Sequence, residues 1–384
     1  MRMLNEKFLP NSNIGLIIEP ISKSGLIPLL NLINVINPLS NKIFLITHDK
    51  FFFNFDKENK KLVICDVYPN IPFIHKFDFI NYILFQFKIA IWIIKKRTNI
   101  DFFIFFIGGD TLFIPLIISR LLRKKVFILI AGSSIQTFEK QKKYFKNVLI
   151  IMQLIVFFLS QNIILYSNRL VGNYGFTRWK NKILIAHEHF LDFNTFTVTT
   201  PYYKRSYFIG YIGRLSKEKG VQHFIQALPT ILSECQDLQV LIGGDGQLKE
   251  TIEKSLQEMG IRSNVDLPGW ISHDDLPKYL NQLRLLVLPS YTEGLPNIML
   301  EAMACGTPVL ATPVGAIPDV IQDEVTGFIM ENNTPECIAQ NVMRALNHPD
   351  LEIIAERGRQ YVAREFTFEK AVERWRRILE ECEQ

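Results

Sequence analysis

The stretch Ser290 to Gly315, S-Y-T-E-G-L-P-N-I-M-L-E-A-M-A-C-G-T-P-V-L-A-T-P-V-G, restricts the fold more than any other part of the chain. The apolar run Leu283 to Leu288 ahead of it reads as a buried strand of the kind that parallel sheets use. Pro296 suits the first position of a helix, where its missing N–H costs nothing, and Gly306 with Pro308 closes that helix roughly two to three turns later. A strand, a loop and a helix therefore follow one another directly. The start of such a helix presents unpaired N–H groups and a partial positive charge, the setting in which a phosphate or another anion binds. Glu293 stands just before it. Glu301 lies five residues beyond Pro296, about 7 to 8 Å along the axis at about 1.5 Å per residue, so two carboxylates flank the anion site from opposite sides.

The same alternation of apolar runs and helical patterns extends along the chain. Asn13 to Glu19, Lys42 to Thr47, Leu62 to Val67, Asp101 to Ile107 and Val126 to Ile130 read as strands, with helices over Leu26 to Ile36, Phe79 to Lys96 and Phe113 to Leu122. Further on, Tyr207 to Tyr211, Leu238 to Gly243, Val265 to Leu267 and Val309 to Thr312 read as strands. Helices are expected over Val221 to Ser233, from His273-Asp274-Asp275 to about Leu283, over Ala316 to Gln322 and over Phe368 to Cys382. Strands alternating with helices imply open parallel sheets with helices on both faces, and ligands of such sheets sit beyond the carboxyl ends of the strands. Asp110, after Gly108-Gly109, and Ser133, in the turn Ala131 to Ser134, both fall there. The turn G-R-L-S-K-E-K-G, residues 213 to 220, brings a glycine past which a backbone can approach a ligand, and offers Arg214 and Lys219 to a diphosphate. Gly244 and Gly246 would complete the fingerprint of a dinucleotide-binding oxidoreductase only with glycine at 249, which is Lys249, so the fingerprint fails.

Sugar hydroxyls, diphosphate and ribose hydroxyls succeed one another in a nucleotide sugar in the same order as carboxylate, anion site and carboxylate here. The run E-G-L-P-N-I-M-L-E-A-M-A-C-G-T-P-V-L-A-T from Glu293 to Thr312 resembles the donor-site signature of the large retaining glycosyltransferase family called group 1, or family four. The resemblance is strong from about residue 207 to 370 and weak before that. It implies an α/β chain of GT-B type, with two Rossmann-like domains whose parallel sheets face each other across a cleft. Residues 1–196 would be the acceptor-side domain, 197–206 a linker, 207–366 the nucleotide-sugar domain, and 367–384 a helix packing back toward the first domain. It also implies roles: Arg214 and Lys219 on the donor phosphates with the amides near Gly294 and Leu295, and Gly213 at the close backbone approach. Glu301 would take the ribose hydroxyls, Glu293 the sugar hydroxyls or the charge growing on the ring, and Trp270 and Ile271 the nucleobase.

Gly25 is what remains of a glycine pair that relatives carry after the first strand and direct at the diphosphate; a plain turn glycine is the alternative. Many relatives also hold a histidine in the turn corresponding to Ala131 to Ser134, and none is present here. That departure leaves Asp110 and Ser133 as acceptor-side candidates, with Asp110 otherwise a solvated loop-end residue. Asp192 and Phe196 match a segment of the family, and Trp375 lies in the matching terminal helix. The implied activity is retaining transfer of a hexosyl unit from a nucleotide-diphosphate sugar to a glycan or lipid-linked acceptor. No metal and no other cofactor is expected, because nothing resembles a D-x-D metal site, and no nucleic-acid partner is expected. A non-catalytic GT-B subunit that binds a nucleotide, or a nucleotide-sugar hydrolase or epimerase, are the alternatives.

Charge is divided unevenly: up to residue 200 there are 25 Lys and Arg against 12 Asp and Glu, and beyond it 18 against 26. Of 30 phenylalanines, 25 lie in the first part. A basic, aromatic first half suits contact with anionic membrane lipids or a lipid-linked acceptor, although a coding bias toward Phe, Ile, Lys and Asn would give the same composition. Val148 to Tyr166 is the most apolar segment, but Gln153 and Ser160 to Asn162 break it into a buried or membrane-surface helix and a strand. Five cysteines without C-x-x-C spacing and a polar Met1 to Asn13 lead to an expected cytoplasmic protein, associated with the inner face of the membrane if the basic half does contact lipid. His187 and His189 lack a nearby third ligand for a metal.

Overall fold

The structure, a computed structural model, describes residues 12–19, 23–47, 61–66, 79–131, 143–173, 175–206 and 209–381. The chain forms two compact units, Met1–His189 with Phe368–Gln384, and Phe190–Thr367.

Unit 1 runs β1 (Asn13–Ile18), α1 (Lys23–Ile36), β2 (Lys42–Thr47), β3 (Leu62–Asp66), α2 (Phe79–Lys96), β4 (Phe102–Phe106), α3 (Phe113–Leu121), β5 (Lys125–Ile130), α4 (Lys143–Leu159), β6 (Asn162–Leu165), α5 (Arg169–Asn173) and β7 (Ile183–Ile185). Among the described residues its seven strands are parallel in the order β3-β2-β1-β4-β5-β6-β7, with Leu16 opposite Leu45 on one side and Ile104 on the other. The continuous apolar runs follow from this: every residue of F-F-I-F-F in β4 is buried, as strands covered on both faces require. Gly15 has no side chain because the Phe103 ring occupies its place; a Cβ there would lie 2.4 Å from Phe103 Cδ1.

Unit 2 runs β8 (Ile209–Ile212), α6 (Val221–Glu234), β9 (Val240–Gly243), α7 (Lys249–Glu258), β10 (Val265–Gly269), α8 (Leu276–Leu280), β11 (Leu286–Leu288), α9 (Asn297–Ala304), β12 (Val309–Ala311), α10 (Ile317–Val320), β13 (Phe328–Ile329), α11 (Pro335–Leu346) and α12 (Leu351–Glu365). The six strands are parallel in the order β10-β9-β8-β11-β12-β13. Phe224, Leu228 and Ile231 on α6 share a core with Val287, Phe328 and Ile338. The last helix, α13 (Phe368–Glu381), belongs to unit 1, where it packs on α1 and buries Trp375, whose Nε1 donates to the His187 carbonyl at 3.3 Å.

Several local expectations change. The division falls after His189, and the segment read as a linker, 197–206, is fastened into unit 2. Asn281 Oδ1 accepts from the Thr199 and Thr200 amides at 2.7 and 3.2 Å, and buried Arg205 donates to the Leu283 and Cys305 carbonyls at 2.8 Å each. The helix expected from His273-Asp274-Asp275 to about Leu283 spans Leu276–Leu280, and Asn281 beyond it turns to meet that segment. Gly25 is no turn residue: α1 already begins at Lys23, and Gly25 lies in its first turn. Pro296 is the residue capping α9 rather than its first member, with extended backbone at φ −74° and ψ 121°. At the other end of α9, Gly306 N bonds Met303 O at 3.0 Å and Thr307 N bonds Ala302 O at 2.9 Å, a glycine-terminated cap as the sequence suggests.

Candidate functional site

In unit 2 the chain leaves β8 toward β9 and β10 on one side, then returns to place β11 on the other side of β8. The loops after β8 and β11 therefore part company at the carboxyl edge of the sheet, and the crevice between such loops is where open α/β sheets bind ligands. The β8 loop is residues 213–220 and the β11 loop is residues 289–296, the two motifs that stood out in sequence.

These loops are in direct contact. Gly220 has φ +68°, and a Cβ on it would lie 1.9 Å from the Pro289 carbonyl oxygen, so only glycine lets the two backbones pass. Tyr291 N donates to Glu218 O at 3.0 Å across the same seam. Arg214 is held from behind, where the Tyr211 hydroxyl donates to its carbonyl at 2.7 Å. Its guanidinium reaches outward, half exposed, with Glu218 at 3.6 Å. Gly213 N bonds Gly243 O at 3.0 Å, so the β8 and β9 ends are also stitched at this edge.

The closeness of the loops brings Lys219 onto Glu293. The ammonium lies 2.7 and 2.8 Å from the two carboxylate oxygens, and the Ser290 hydroxyl donates to Oε1 at 2.7 Å. The Glu293 side chain is 8% exposed in this arrangement while that of Lys219 remains partly open to solvent. Gly294 O accepts from Ala316 N at 2.8 Å, and Leu295 is buried, so the turn leading into α9 is anchored on both sides. Along α9, Met299 N bonds back to Pro296 O at 3.2 Å, and the N–H groups ahead of it form the start of the helix. Glu301 is buried on this helix with His273 Nε2 at 3.1 Å from Oε1, and that hydrogen bond raises the His273 pKa above its ordinary value. The Phe196 ring stands edge-on to His273, 5.2 Å between centroids.

Residues 194–361 match the model of the family described as Glycosyl transferases group 1. They are a group 1 glycosyltransferase domain. Alpha-D-kanosaminyltransferase of Streptomyces kanamyceticus is 34% identical over 163 residues, which cover 42% of this chain and 42% of that enzyme. The first-ranked relatives are thus matched over less than half of their length. An uncharacterized glycosyltransferase of Methanocaldococcus jannaschii, MJ1178, is 25% identical over 377 residues, 92% of this chain and 93% of that protein. Among solved structures, Anabaena HepE in complex with UDP and glucose superposes with a TM-score of 0.73 at 15% identity, covering 96% of this chain and all of HepE. The fold is GT-B, built from two Rossmann-like units with parallel sheets.

Within the group 1 domain the structure brings Lys219 and Glu293 together and sets Arg214, Gly213, Gly294 and Leu295 on the same pair of loops. Trp270 and Ile271 follow β10 at the same edge: Trp270 is 73% exposed, while Ile271 lies over Gly243, where a Cβ would meet its Cδ1 at 2.4 Å. Trp270 therefore stands open to solvent. Ser290, Tyr211 and His273 were missed in sequence. Ser290, three residues before Glu293, was the one with a local signal, a hydroxyl placed to meet a carboxylate across a turn.

Ser133 lies outside the described residues. Asp110 is not a solvated loop-end residue: it is buried in a short 3-10 turn after β4, and Gln153 Nε2 donates to its Oδ2 at 2.6 Å. Nor is the histidine pair after β7 open to a ligand. His189 is buried and His187 half-buried, the His187 carbonyl accepts from Arg374 at 3.1 Å, and desolvation followed by the Arg374 charge lowers the His187 pKa well below the ordinary value. Among the described residues no group of three His, Cys, Asp or Glu side chains converges on one point.

Proposed function

We propose that this chain transfers a hexosyl unit from a nucleotide-diphosphate sugar to a hydroxyl of a glycan or lipid-linked acceptor, with the anomeric configuration retained and without a metal cofactor. The observation that carries the reading is the Lys219–Glu293 pair seated at the strand switch point beside the start of α9. A cation bonded to a carboxylate can exchange that partner for phosphate when a diphosphate arrives, and the carboxylate is then released to the sugar. The neighbouring Arg214 and the amides around Gly294 and Leu295 complete an anion cradle of fixed charges and dipoles, the arrangement that stabilises a departing diphosphate most. Glu301, one and a half turns further along the helix, is assigned to the ribose hydroxyls, and Trp270 and Ile271 to the base. Gly25 at the start of α1 is assigned a supporting contact to the diphosphate.

In the reaction the bond between the anomeric carbon and the leaving phosphate oxygen breaks as the acceptor oxygen bonds to the same face of that carbon. The acceptor proton passes to the departing phosphate. Glu293 faces the positive charge that grows on the ring. Support for a sugar nucleotide as donor comes from the family match and from the names of the relatives, and HepE was solved with UDP and glucose. The reading places the protein in the cytoplasm, where contact with the inner membrane face would bring a lipid-linked acceptor to unit 1.

Lys219→Ala and Glu301→Ala test the assignment. Each should keep the folded circular dichroism spectrum and lose at least about a hundredfold in donor turnover, the scale of one transition-state contact. Turnover like that of the wild type in either variant would overturn it. Release of free sugar from labelled donor, followed with and without acceptor, separates transfer from hydrolysis, epimerisation and mere nucleotide binding.

A further inference from the structure

Unit 1 leaves one helical face uncovered. On α2, Leu84, Phe87, Ile91 and Ile94 recur at spacings of three, four and three residues, which aligns them as one stripe, and all four are exposed. On α4, Ile151 and Phe158 are exposed at a spacing of two turns, Phe158 by 64%, and at the end of α3 Leu121 is 73% exposed. Isolated exposed apolar residues are ordinary, but contiguous stripes are not. These are contiguous, because α3 packs against both α2 and α4. The three helices follow β3, β4 and β5, which advance across the sheet in one direction, so right-handed crossovers lay them side by side on one face. The helix after β1 runs the other way and lies on the opposite face, with α13 against it.

The charges carried by these three helices have one sign. The sequences of α2, α3 and α4 contain no Asp or Glu. Lys95, Lys96 and Arg97 at the end of α2 are exposed, as are Arg120 and Arg123 at the end of α3. In a parallel sheet these helix ends collect at a single edge. Beside the end of α4, Trp179 stands 6.4 Å from the Phe158 ring, with Arg178 and Lys182 at 5.5 and 5.7 Å over its own ring. An apolar stripe with a basic edge and a tryptophan between the two is what a bilayer boundary rich in anionic headgroups accepts. A second copy of the chain would bring lysines and arginines against lysines and arginines, with no carboxylate on these helices to meet them.

We propose that the α2–α3–α4 face of unit 1 docks on an anionic bilayer surface, with the apolar stripes at the acyl boundary and the basic helix ends among the headgroups. Among the described residues no helix is long and apolar enough to cross a membrane, so the contact is one of lying on the surface. The proposal gives a surface to the membrane contact contained in the transferase reading, yet it is tested without donor or acceptor.

The experiment is flotation of the full chain with vesicles of phosphatidylcholine alone and with added phosphatidylglycerol, at low and high salt. The wild type should float with the anionic vesicles and be released as salt is raised. Phe87→Glu combined with Phe158→Glu should reduce that partition by at least roughly tenfold, and so should Lys95→Glu combined with Arg97→Glu, since each removes two contacts with the boundary. Both variants alter exposed residues of unit 1, whereas the donor loops belong to unit 2, so the melting temperature and the turnover of donor with a soluble acceptor should be retained. A wild type that stays in solution with anionic vesicles, or variants that float as well as it does, would overturn the proposal while leaving the transferase reading standing. A dimer in solution that Phe87→Glu splits, with no vesicle binding, would assign the face to a second copy instead.

Discussion

Gly315→Ala should disable the donor site without changing any side chain assigned to the donor. Gly315 has φ +61°, and a Cβ built on it would lie 2.2 Å from the Glu293 carbonyl oxygen and 2.5 Å from that of Gly294. Carbon and oxygen in non-bonded contact settle at about 3.3 Å, so the turn carrying Glu293 must retreat by about 1 Å. Misplacement on that scale costs about a hundredfold in rate when the displaced group is one that orients the reacting centre. Alanine in the left-handed region adds a strain of about 1 to 2 kcal/mol to the folded state. The two effects are separable, because Gly260 has φ +71° with nothing within 4 Å of its would-be Cβ. Gly260→Ala should therefore lose a similar amount of stability in denaturant unfolding while its kcat/KM for donor stays at the wild-type level. Gly315→Ala should lose both. If the two variants turn over donor equally well, the close approach of the Gly315 turn does not position Glu293, and the reasoning fails.

Two further outcomes concern unit 1. Glu188 is fully buried with the Tyr166 hydroxyl donating to it, and burial pushes its carboxyl from the ordinary 4.5 up to about 7, against the lowering effects of that hydrogen bond and of Arg374. The folded state thus keeps a proton that the unfolded chain gives up; the stability this group contributes is full below pH 4.5 and is lost as the pH rises to about 7, on the order of 3 kcal/mol in all. In Glu188→Gln the change in melting temperature between those pH values should shrink, and a variant whose melting temperature falls in parallel with the wild type would refute the assignment. Trp375→Ala should cost about 3 to 5 kcal/mol in denaturant unfolding by opening a cavity between α13 and the rest of unit 1, and a loss under about 1 kcal/mol would show that the helix is not packed as described.

What could be read in sequence was whatever has a local period or a local punctuation mark. The bounds of α2 and β2 agree with the expected Phe79 to Lys96 and Lys42 to Thr47, and the cap at Gly306 follows from glycine and proline alone. Lys219 and Glu293 could be named by type, yet their bond joins residues 74 apart and depends on where β11 lies in the sheet, which no window of sequence carries. Asp110 fails for the same reason. A carboxylate after two glycines looks solvated until α4, more than thirty residues later, brings Gln153 onto it. The H-E-H run after β7 invites a metal, but Tyr166 and Arg374 come from elements far away in the chain and turn it into core.

The two sheets repeat one topology with opposite electrostatics, and that difference supports giving the diphosphate to unit 2. Each sheet has its switch point beside its first strand, between β1 and β4 in unit 1 and between β8 and β11 in unit 2, and a glutamate follows at each: Glu19 after β1 and Glu293 after β11. In unit 2 the facing loop supplies an ammonium, so the charges cancel within the pair and an incoming anion finds a cation able to change partners. In unit 1 the facing loop supplies Thr111 and Asp110. Tyr82 and Thr111 hydroxyls bond Glu19 at 2.6 and 2.9 Å, and burial, reinforced by the Asp110 charge, still pushes its carboxyl up to about 7. A phosphate approaching that edge would meet acids. A neutral ligand rich in hydroxyls would instead find a carboxyl that both donates and accepts near neutral pH, flanked by hydroxyls of matching size. The charge pattern at the two switch points thus accords with the proposed division, an anionic donor on unit 2 and a hydroxyl-bearing acceptor on unit 1.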